Sequence, residues 1–217
     1  MPNAALKPAL MRALKVHEIG RNGDPYEISF AILGRSGASF GAMQGDLAKG
    51  GAFVRQTLRD VLKAQAVPAA TIDAIMRKLS VPLTGDPLSH AEGALVDQAL
   101  HKETAKVDAM DERIAAEVFE GLDDCVEAAR RSGRGIDPRV QLYIAMWINM
   151  TGKPTTLKDW LGGSPARTAA PGNPVSVADI ERYLHTTKHY SEHPRNFRHL
   201  QESVAEGAAL LPRLVPA

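Results

Sequence analysis

The segment YEISFAILGRSGASFGAMQGD, residues 26–46, is where the period of the apolar residues changes from that of a helix to that of a strand. Apolar residues occupy alternate positions in its first part, which is typical of a half-buried strand: Tyr26, Ile28, Phe30 and Ile32. A Gly-Arg-Ser-Gly turn sequence follows at 34–37, and a second short run ends at Asp46. The segment therefore predicts one small β-hairpin.

Most of the remaining chain has the apolar spacing of helices. A first helix is predicted over 4–18, immediately before the hairpin. Ser89 with Glu92 forms a capping-box pattern, and Asp137-Pro138 is typical of a helix start. The segment VQLYIAMWINM that follows is apolar nearly all round and predicts a buried central helix. The predicted fold class is mainly α, a helical domain with one small β-hairpin after the first helix.

Length, charge and cysteine content restrict the class of protein. A chain of 217 residues fits one domain over 1–217, with an N-terminal helix and hairpin at 4–48 and a helical lobe at 51–212. A formal net charge of +1 does not indicate a nucleic-acid partner. No run approaches the roughly 20 apolar residues of a membrane span. Cys125, the single cysteine, cannot form an internal disulfide, and its helical context predicts a buried thiol.

The second run of the hairpin combines polar and small residues. Its hydrogen-bonding side chains alternate with glycines, which allow a ligand to approach the backbone closely: Ser36, Ser39, Gln44 and Asp46 with Gly37, Gly41 and Gly45. This composition predicts the floor of a groove for a polar, extended ligand. The alternative is a minor hairpin that covers one edge of a helical core.

Glu18 ends the predicted first helix next to the apolar Ile19. A carboxyl group that is partly buried against apolar groups has a raised pKa, because burial disfavours its charged form. A carboxyl group that stays protonated near neutrality can act as the general acid that protonates a glycosidic oxygen. Glu18 is therefore a candidate catalytic acid, although an ordinary solvated glutamate is the alternative.

A helix ending in Glu, a small hairpin with a Gly-rich second strand, and then further helices resemble the lysozyme-like superfamily. SFGAMQGD is similar to the Gly-Leu-Met-Gln strings of goose-type lysozymes and soluble lytic transglycosylases, and YEISFAILGRSGASFG is similar to the hairpin of chitosanases. The resemblance covers roughly residues 8 to 48. It implies a lysozyme-like fold and a muramidase-type glycosidase that cleaves β-1,4 links in peptidoglycan or a related amino-sugar polymer, without a cofactor.

The resemblance also implies roles for particular residues. Glu18 is the acid, while Gly41, Met43 and Gln44 line the saccharide groove together with Tyr26 and Ser39. Glu27 is a rival acid, because transglycosylases have their Glu about fifteen residues before the Gly of the Met-Gln string. Asp46 is the candidate second catalytic group that orients water. Cleavage by a single acid, assisted by the substrate's own N-acetyl group, is the alternative.

The N-terminal segment lacks the pattern of a secretory signal peptide. The protein is therefore expected to be made in the cytoplasm and to reach the cell wall as a phage endolysin or as an effector delivered by a secretion system. The hairpin turn lacks the Asp that chitosanases carry there. A catalytically inactive glycan-binding or phage structural module is thus a second hypothesis. The oligomeric state does not follow from the sequence.

His185 and His189 lie four residues apart in a predicted helix over 177–190, with His193 at the next interval. Helical i, i+4 spacing can place two imidazoles on one metal ion. The intervening residues are Thr-Thr-Lys and lack the Glu of a His-Glu-x-x-His motif. A metal-dependent hydrolase built on this pair is the third hypothesis.

Overall fold

A computed structural model of the chain describes residues 6–30, 35–85, 87–152 and 154–211. These residues form ten α-helices and one antiparallel pair of two-residue strands. In chain order the elements are α1 (Leu6–Ile19), β1 (Ser39–Phe40), β2 (Gly45–Asp46), α2 (Ala52–Ala64), α3 (Ala69–Leu79), α4 (His90–Lys102), α5 (Thr104–Arg131), α6 (Pro138–Thr151), α7 (Thr155–Leu161), α8 (Val177–His185), α9 (Lys188–Ser191) and α10 (Pro194–Ala208). The predicted mainly α fold with one small hairpin after the first helix is confirmed. No helix of the described residues is long and apolar enough to cross a membrane.

Two predicted helix starts are confirmed by their capping geometry. The Ser89 side chain accepts a hydrogen bond from the backbone N–H of Glu92, and the Glu92 carboxylate accepts one from the backbone N–H of Ser89. The Asp137 side chain accepts from the N–H of Arg139 at the start of α6. These local contacts satisfy donors that the first turn of a helix leaves without partners, so the sequence alone specifies them.

The chain divides into two compact units. The hairpin unit comprises Glu18–Ala115, and the terminal unit comprises Met1–His17 with Ala116–Ala217. The boundary that the sequence predicts near residues 48–51 lies inside the hairpin unit.

The core of the hairpin unit is formed by apolar side chains from the hairpin, α2, α3, α4 and the first turns of α5. Its largest members include Phe40, Leu58 and Ile75, all fully buried. Tyr26, Ile28 and Phe30 of the predicted first strand pack against this core and are partly buried. The predicted inward face of that segment is therefore confirmed for these three residues, whereas Ile32 lies outside the described residues.

The terminal unit is organised around α6, as its all-round apolar sequence predicts. Its residues 142–148 are buried, and α8 and α10 pack against it. Gly207 of α10 lies against the α1 backbone, where a Cβ would come 2.5 Å from the carbonyl oxygen of Ala9. Cys125 is buried as predicted, and burial raises the pKa of its thiol to about 11.

The hairpin turn does not lie where the sequence predicts it. The paired strands are β1 and β2, with Ser39 opposite Asp46, and the turn between them is Gly41–Gln44 rather than 34–37. The predicted first strand contributes one bridge to this pair, in which Ser29 and Ser39 exchange backbone hydrogen bonds of 2.8 and 3.0 Å. Residues 31–34 lie outside the described residues.

The helix predicted over 177–190 is also interrupted. The hydroxyl groups of Thr186 and Thr187 donate hydrogen bonds of 2.6 Å to the carbonyl oxygens of Tyr183 and Leu184 and close α8. Because α9 begins only at Lys188, His185 and His189 do not share one continuous helix. The i, i+4 interpretation of the two histidines is therefore wrong.

Candidate functional site

The turn Gly41–Gln44 between β1 and β2 has a constrained backbone. Gly41 has a φ of +85°, and Gln44 has a φ of 47°, which is unusual for a residue with a side chain. The Gly41 N–H donates to the carbonyl oxygen of Pro25 at 2.8 Å. A Cβ at Gly41 would lie 2.4 Å from Oδ1 of Asp111. Glycine is thus required both by the conformation and by the close approach of the α5 carboxylate.

Asp111 holds this turn from the α5 side. Its two carboxylate oxygens accept the backbone N–H groups of Ala42 at 2.7 Å and Met43 at 3.0 Å. The residue is only 3% exposed. Burial raises the pKa of Asp111 to about 6, with a smaller contribution from the charge of Asp108, and the two N–H donors oppose the rise.

Gln44 and Ser39 hold the same turn from the strand side. The Ser39 hydroxyl donates to Oε1 of Gln44 at 2.7 Å, and Nε2 of Gln44 donates to the carbonyl oxygen of Gly41 at 3.1 Å. Ser39, Gly41 and Met43 are buried, whereas Gln44 is partly exposed. Four of the predicted groove residues, Ser39, Gly41, Met43 and Gln44, therefore lie in or beside the turn, and the side chains of Ser39 and Gln44 stabilise it.

Asp46 has a similar internal role at the end of β2. Its Oδ1 accepts three backbone N–H groups, from Gly37 at 3.1 Å, Ala48 at 2.7 Å and Lys49 at 2.8 Å. Partial burial favours the neutral form, but these donors and the Ser36 hydroxyl outweigh it and hold the pKa of Asp46 below its ordinary value. A carboxylate with a lowered pKa is a weak base. The water-orienting role of Asp46 stays a prediction.

Tyr26 lies in a second polar cluster of the hairpin unit. Its hydroxyl donates to Oδ1 of Asp108 at 3.0 Å, and its backbone N–H donates to Oδ1 of Asp24 at 2.8 Å. The His101 ring contacts the Tyr26 ring edge-on at 6.0 Å, and its Nε2 lies 3.1 Å from Oδ2 of Asp24. The pKa of His101 is raised by the carbonyl oxygen of Asp97, by Asp24 and by the charge of Glu27.

The two candidate acids occupy different places in this unit. Glu18 lies in the last turn of α1 and is partly exposed, in the same compact unit as the turn. Glu27 is exposed on the side of its segment opposite the core, close enough to His101 to influence its pKa. The assignment of the acid to Glu18 or Glu27 stays a prediction.

Sequence reasoning missed Asp111. The acidic composition of the segment MDERIAAEVFEGLDD, residues 110–124, is typical of a solvated helix face, and Asp111 departs from that pattern because it is buried. The helical spacing indicates that Asp111 is buried, because it lies four residues from each of two buried residues, Val107 and Ala115. A carboxylate at a position on the buried face of a helix is therefore expected to accept hydrogen bonds inside the protein.

In the described residues, His185 and His189 contact aromatic rings rather than a metal centre. His185 packs against the Phe197 ring with centroids 3.8 Å apart, and His189 contacts the edge of the Tyr190 ring at 4.7 Å. Among the residues that the structure describes, no group of three or more His, Cys, Asp or Glu side chains is placed to hold a metal ion.

No family model, curated protein or solved structure matches this chain.

Proposed function

We propose that the chain is a glycoside hydrolase that cleaves β-1,4 links in peptidoglycan or a related amino-sugar polymer, with Glu18 as general acid. The observation that carries this proposal is the Gly41–Gln44 turn. It has a left-handed Gln44 and is fixed on one side by Asp111 and on the other by Ser39, in the same compact unit as Glu18. Strained, over-determined backbone is concentrated at binding and catalytic sites.

The side chains within reach of a saccharide are fewer than the sequence suggests. Gln44 and Tyr26 are partly exposed and carry the amide and hydroxyl groups that hydrogen-bond sugars. Ser39, Gly41 and Met43 support the turn from inside. In this proposal the polymer lies along the exposed edge of the turn, and the buried residues fix the conformation of the turn.

The proposed chemistry starts with proton transfer from Glu18 to the glycosidic oxygen as the C–O bond breaks. The three N–H donors on Asp46 favour a route without a strong second carboxylate. In that route the carbonyl oxygen of the substrate's N-acetyl group attacks C1, and water then opens the cyclic intermediate. Attack by a hydroxyl of the same sugar instead gives the anhydro product of a transglycosylase.

The second candidate function is a glycan-binding or phage structural module without catalysis. The internal role of Asp46 favours it, because the second predicted carboxylate is committed to backbone hydrogen bonds. Such a module would retain the turn and bind the polymer without cleaving it.

The deciding experiment measures clearing of purified peptidoglycan and release of soluble fragments by wild type, Glu18→Gln and Glu27→Gln. Glu117→Gln is the matched control, because Glu117 is an exposed glutamate of α5 in the terminal unit. We expect Glu18→Gln to lose at least about a hundredfold in rate and Glu117→Gln to match wild type. Loss only in Glu27→Gln would transfer the acid role to Glu27.

Product masses separate the two cleavage routes, because the anhydro product is one water molecule lighter than the hydrolysis product. Chitosan serves as the second substrate. Binding of either polymer by a folded wild type that releases no fragments would favour the non-catalytic module and contradict the hydrolase.

A further inference from the structure

A cavity of about 460 Å³ opens along α2 and α3 in the hairpin unit. The α2 residues that line it follow the spacing i, i+3, i+4, i+7 of one helix face, and the others come from the end of α3 and the residues after it. The lining residues are Ala52, Arg55, Gln56, Arg59, Met76, Arg77, Ser80 and Val81.

Three arginine residues line this cavity, and no acidic residue is among the described residues that line it. Like charges that converge on one space repel each other and favour an anion between them. The cavity also begins at Ala52, the first residue of α2, where the helix dipole adds partial positive charge. Gly51, the N-cap, provides no side-chain acceptor for the first-turn N–H groups.

Two of the arginines are held in place by partners outside the lining. Nη1 of Arg55 donates to the carbonyl oxygens of Gly50 at 3.0 Å and Leu47 at 3.3 Å. Nη1 of Arg59 pairs with Asp73 at 2.7 Å. A guanidinium has five N–H donors, so each arginine retains donors after these contacts. These contacts restrict the two side chains and leave donors for a ligand.

Arg77 provides a third cation, and it is exposed. Among the described residues no acidic side chain lies within ion-pair distance of Arg77. One planar guanidinium already matches the two oxygens of a carboxylate. Three guanidinium groups match an anion with three or more acceptor oxygens, as a phosphate group has.

We propose that this cavity binds the phosphate group of a small phosphorylated ligand. The cavity has room for more than a single phosphate, so a ligand with an organic part fits it. Met76 and Val81 line the same cavity, and Val81 is 49% exposed, which provides apolar contact for a carbon skeleton. The site does not depend on the proposed glycan cleavage.

The test is titration of the ¹⁵N-labelled full chain with glycerol 3-phosphate, inorganic phosphate and acetate at constant ionic strength. We expect shifts of the backbone amides of residues 52–59 and 76–81, with glycerol 3-phosphate binding more tightly than inorganic phosphate and acetate binding most weakly. Arg77→Gln is expected to weaken glycerol 3-phosphate binding about tenfold or more, as for loss of a charged hydrogen bond. The exposed Arg35 lies in the same unit outside the cavity, so Arg35→Gln is the matched control and should bind as wild type.

Three results would overturn the proposal. Equal binding of acetate and glycerol 3-phosphate would indicate general charge attraction, and equal loss in Arg77→Gln and Arg35→Gln would place the anion elsewhere. Tighter binding of a short single-stranded oligonucleotide, sensitive to Arg77→Gln, would assign the cavity to a nucleic acid instead. Circular dichroism of each variant checks that the fold is retained, and Arg59→Gln provides a second variant if Arg77→Gln is not folded.

Discussion

Protonation of Asp111 is the perturbation that tests the candidate site most directly. Its folded-state pKa of about 6 lies above the ordinary value of 3.8, chiefly because the carboxyl is buried. The folded protein therefore binds this proton more tightly than the unfolded chain does. The free energy of unfolding must fall as the pH rises between these two values.

The size of the effect follows from the difference between the two pKa values. A pKa that rises from 3.8 to about 6, at 1.36 kcal/mol for each pH unit, corresponds to roughly 3 kcal/mol, most of it between pH 4 and pH 6. Groups such as Asp46, whose pKa is lowered, change stability in the opposite direction. The Asp111 contribution is therefore isolated as the difference between wild type and Asp111→Asn, an isosteric variant that does not titrate.

Two assays measure this contribution. Native-state hydrogen exchange at Leu58, fully buried in the hairpin unit, reports the free energy of opening after correction for intrinsic exchange rates. We expect the free energy of opening of wild type, relative to that of Asp111→Asn, to fall by about 2–3 kcal/mol from pH 4 to pH 7. The amide resonances of Ala42 and Met43, which donate to Asp111, should titrate with a midpoint near pH 6.

A constant difference in stability between the two proteins from pH 4 to pH 7 would refute this reasoning. Amide resonances of Ala42 and Met43 that do not change through pH 6 in wild type would refute it independently. In Asp111→Asn these resonances should show no such midpoint.

Three further substitutions test individual contacts of the hairpin unit, each by urea unfolding and native-state hydrogen exchange. Gly41→Ala should destabilise the unit by about 2 kcal/mol or more, because φ is +85° and the new Cβ meets Asp111; an unchanged stability contradicts the observed turn. Ser80→Ala should be neutral or stabilise by about 1 kcal/mol, since no described residue hydrogen-bonds its buried hydroxyl; a loss above about 1 kcal/mol would contradict this environment. Asp46→Asn should lower stability at pH 7, and the loss should vanish as the pH falls below 3.8, because the lowered pKa contributes stability only while the carboxylate is charged.

The features that the sequence predicted correctly are local in the chain. Ser89 and Glu92 are three residues apart, and Asp137 acts on the turn that it begins. The buried helix α6 follows from its own composition. Each of these structures depends on residues within one or two helical turns, so a single sequence contains the information that specifies it.

The position of the turn could not be predicted in this way. The Gly-Arg-Ser-Gly sequence at 34–37 has suitable turn residues, whereas the observed turn at Gly41–Gln44 depends on Asp111, about seventy residues later in the chain. A hydrogen bond between residues so distant in sequence has no local pattern. The helix break after His185 was missed for a different reason, because threonine is compatible with a helix and also bonds back to carbonyl oxygens and closes one.

Aspartate side chains, rather than a larger sheet, stabilise the segment around the hairpin. A pair of two-residue strands provides few backbone hydrogen bonds, and such a pair is unstable alone. Asp24, Asp97, Asp111 and Asp46 each accept at least one backbone N–H from residues 26–49. The polar residues and glycines that suggest a ligand groove therefore also meet an internal requirement of the fold.

This internal requirement changes how the proposed glycan site must be tested. Substituting Ser39, Asp46 or Asp111 perturbs the turn itself, so loss of activity in those variants does not identify a catalytic group. Glu18 and Glu27 differ in this respect, because the carboxylate that accepts the backbone N–H groups of the turn Gly41–Gln44 belongs to Asp111. A loss of rate in Glu18→Gln with unchanged Ala42 and Met43 resonances would therefore assign the chemistry to Glu18 rather than to the support of the turn.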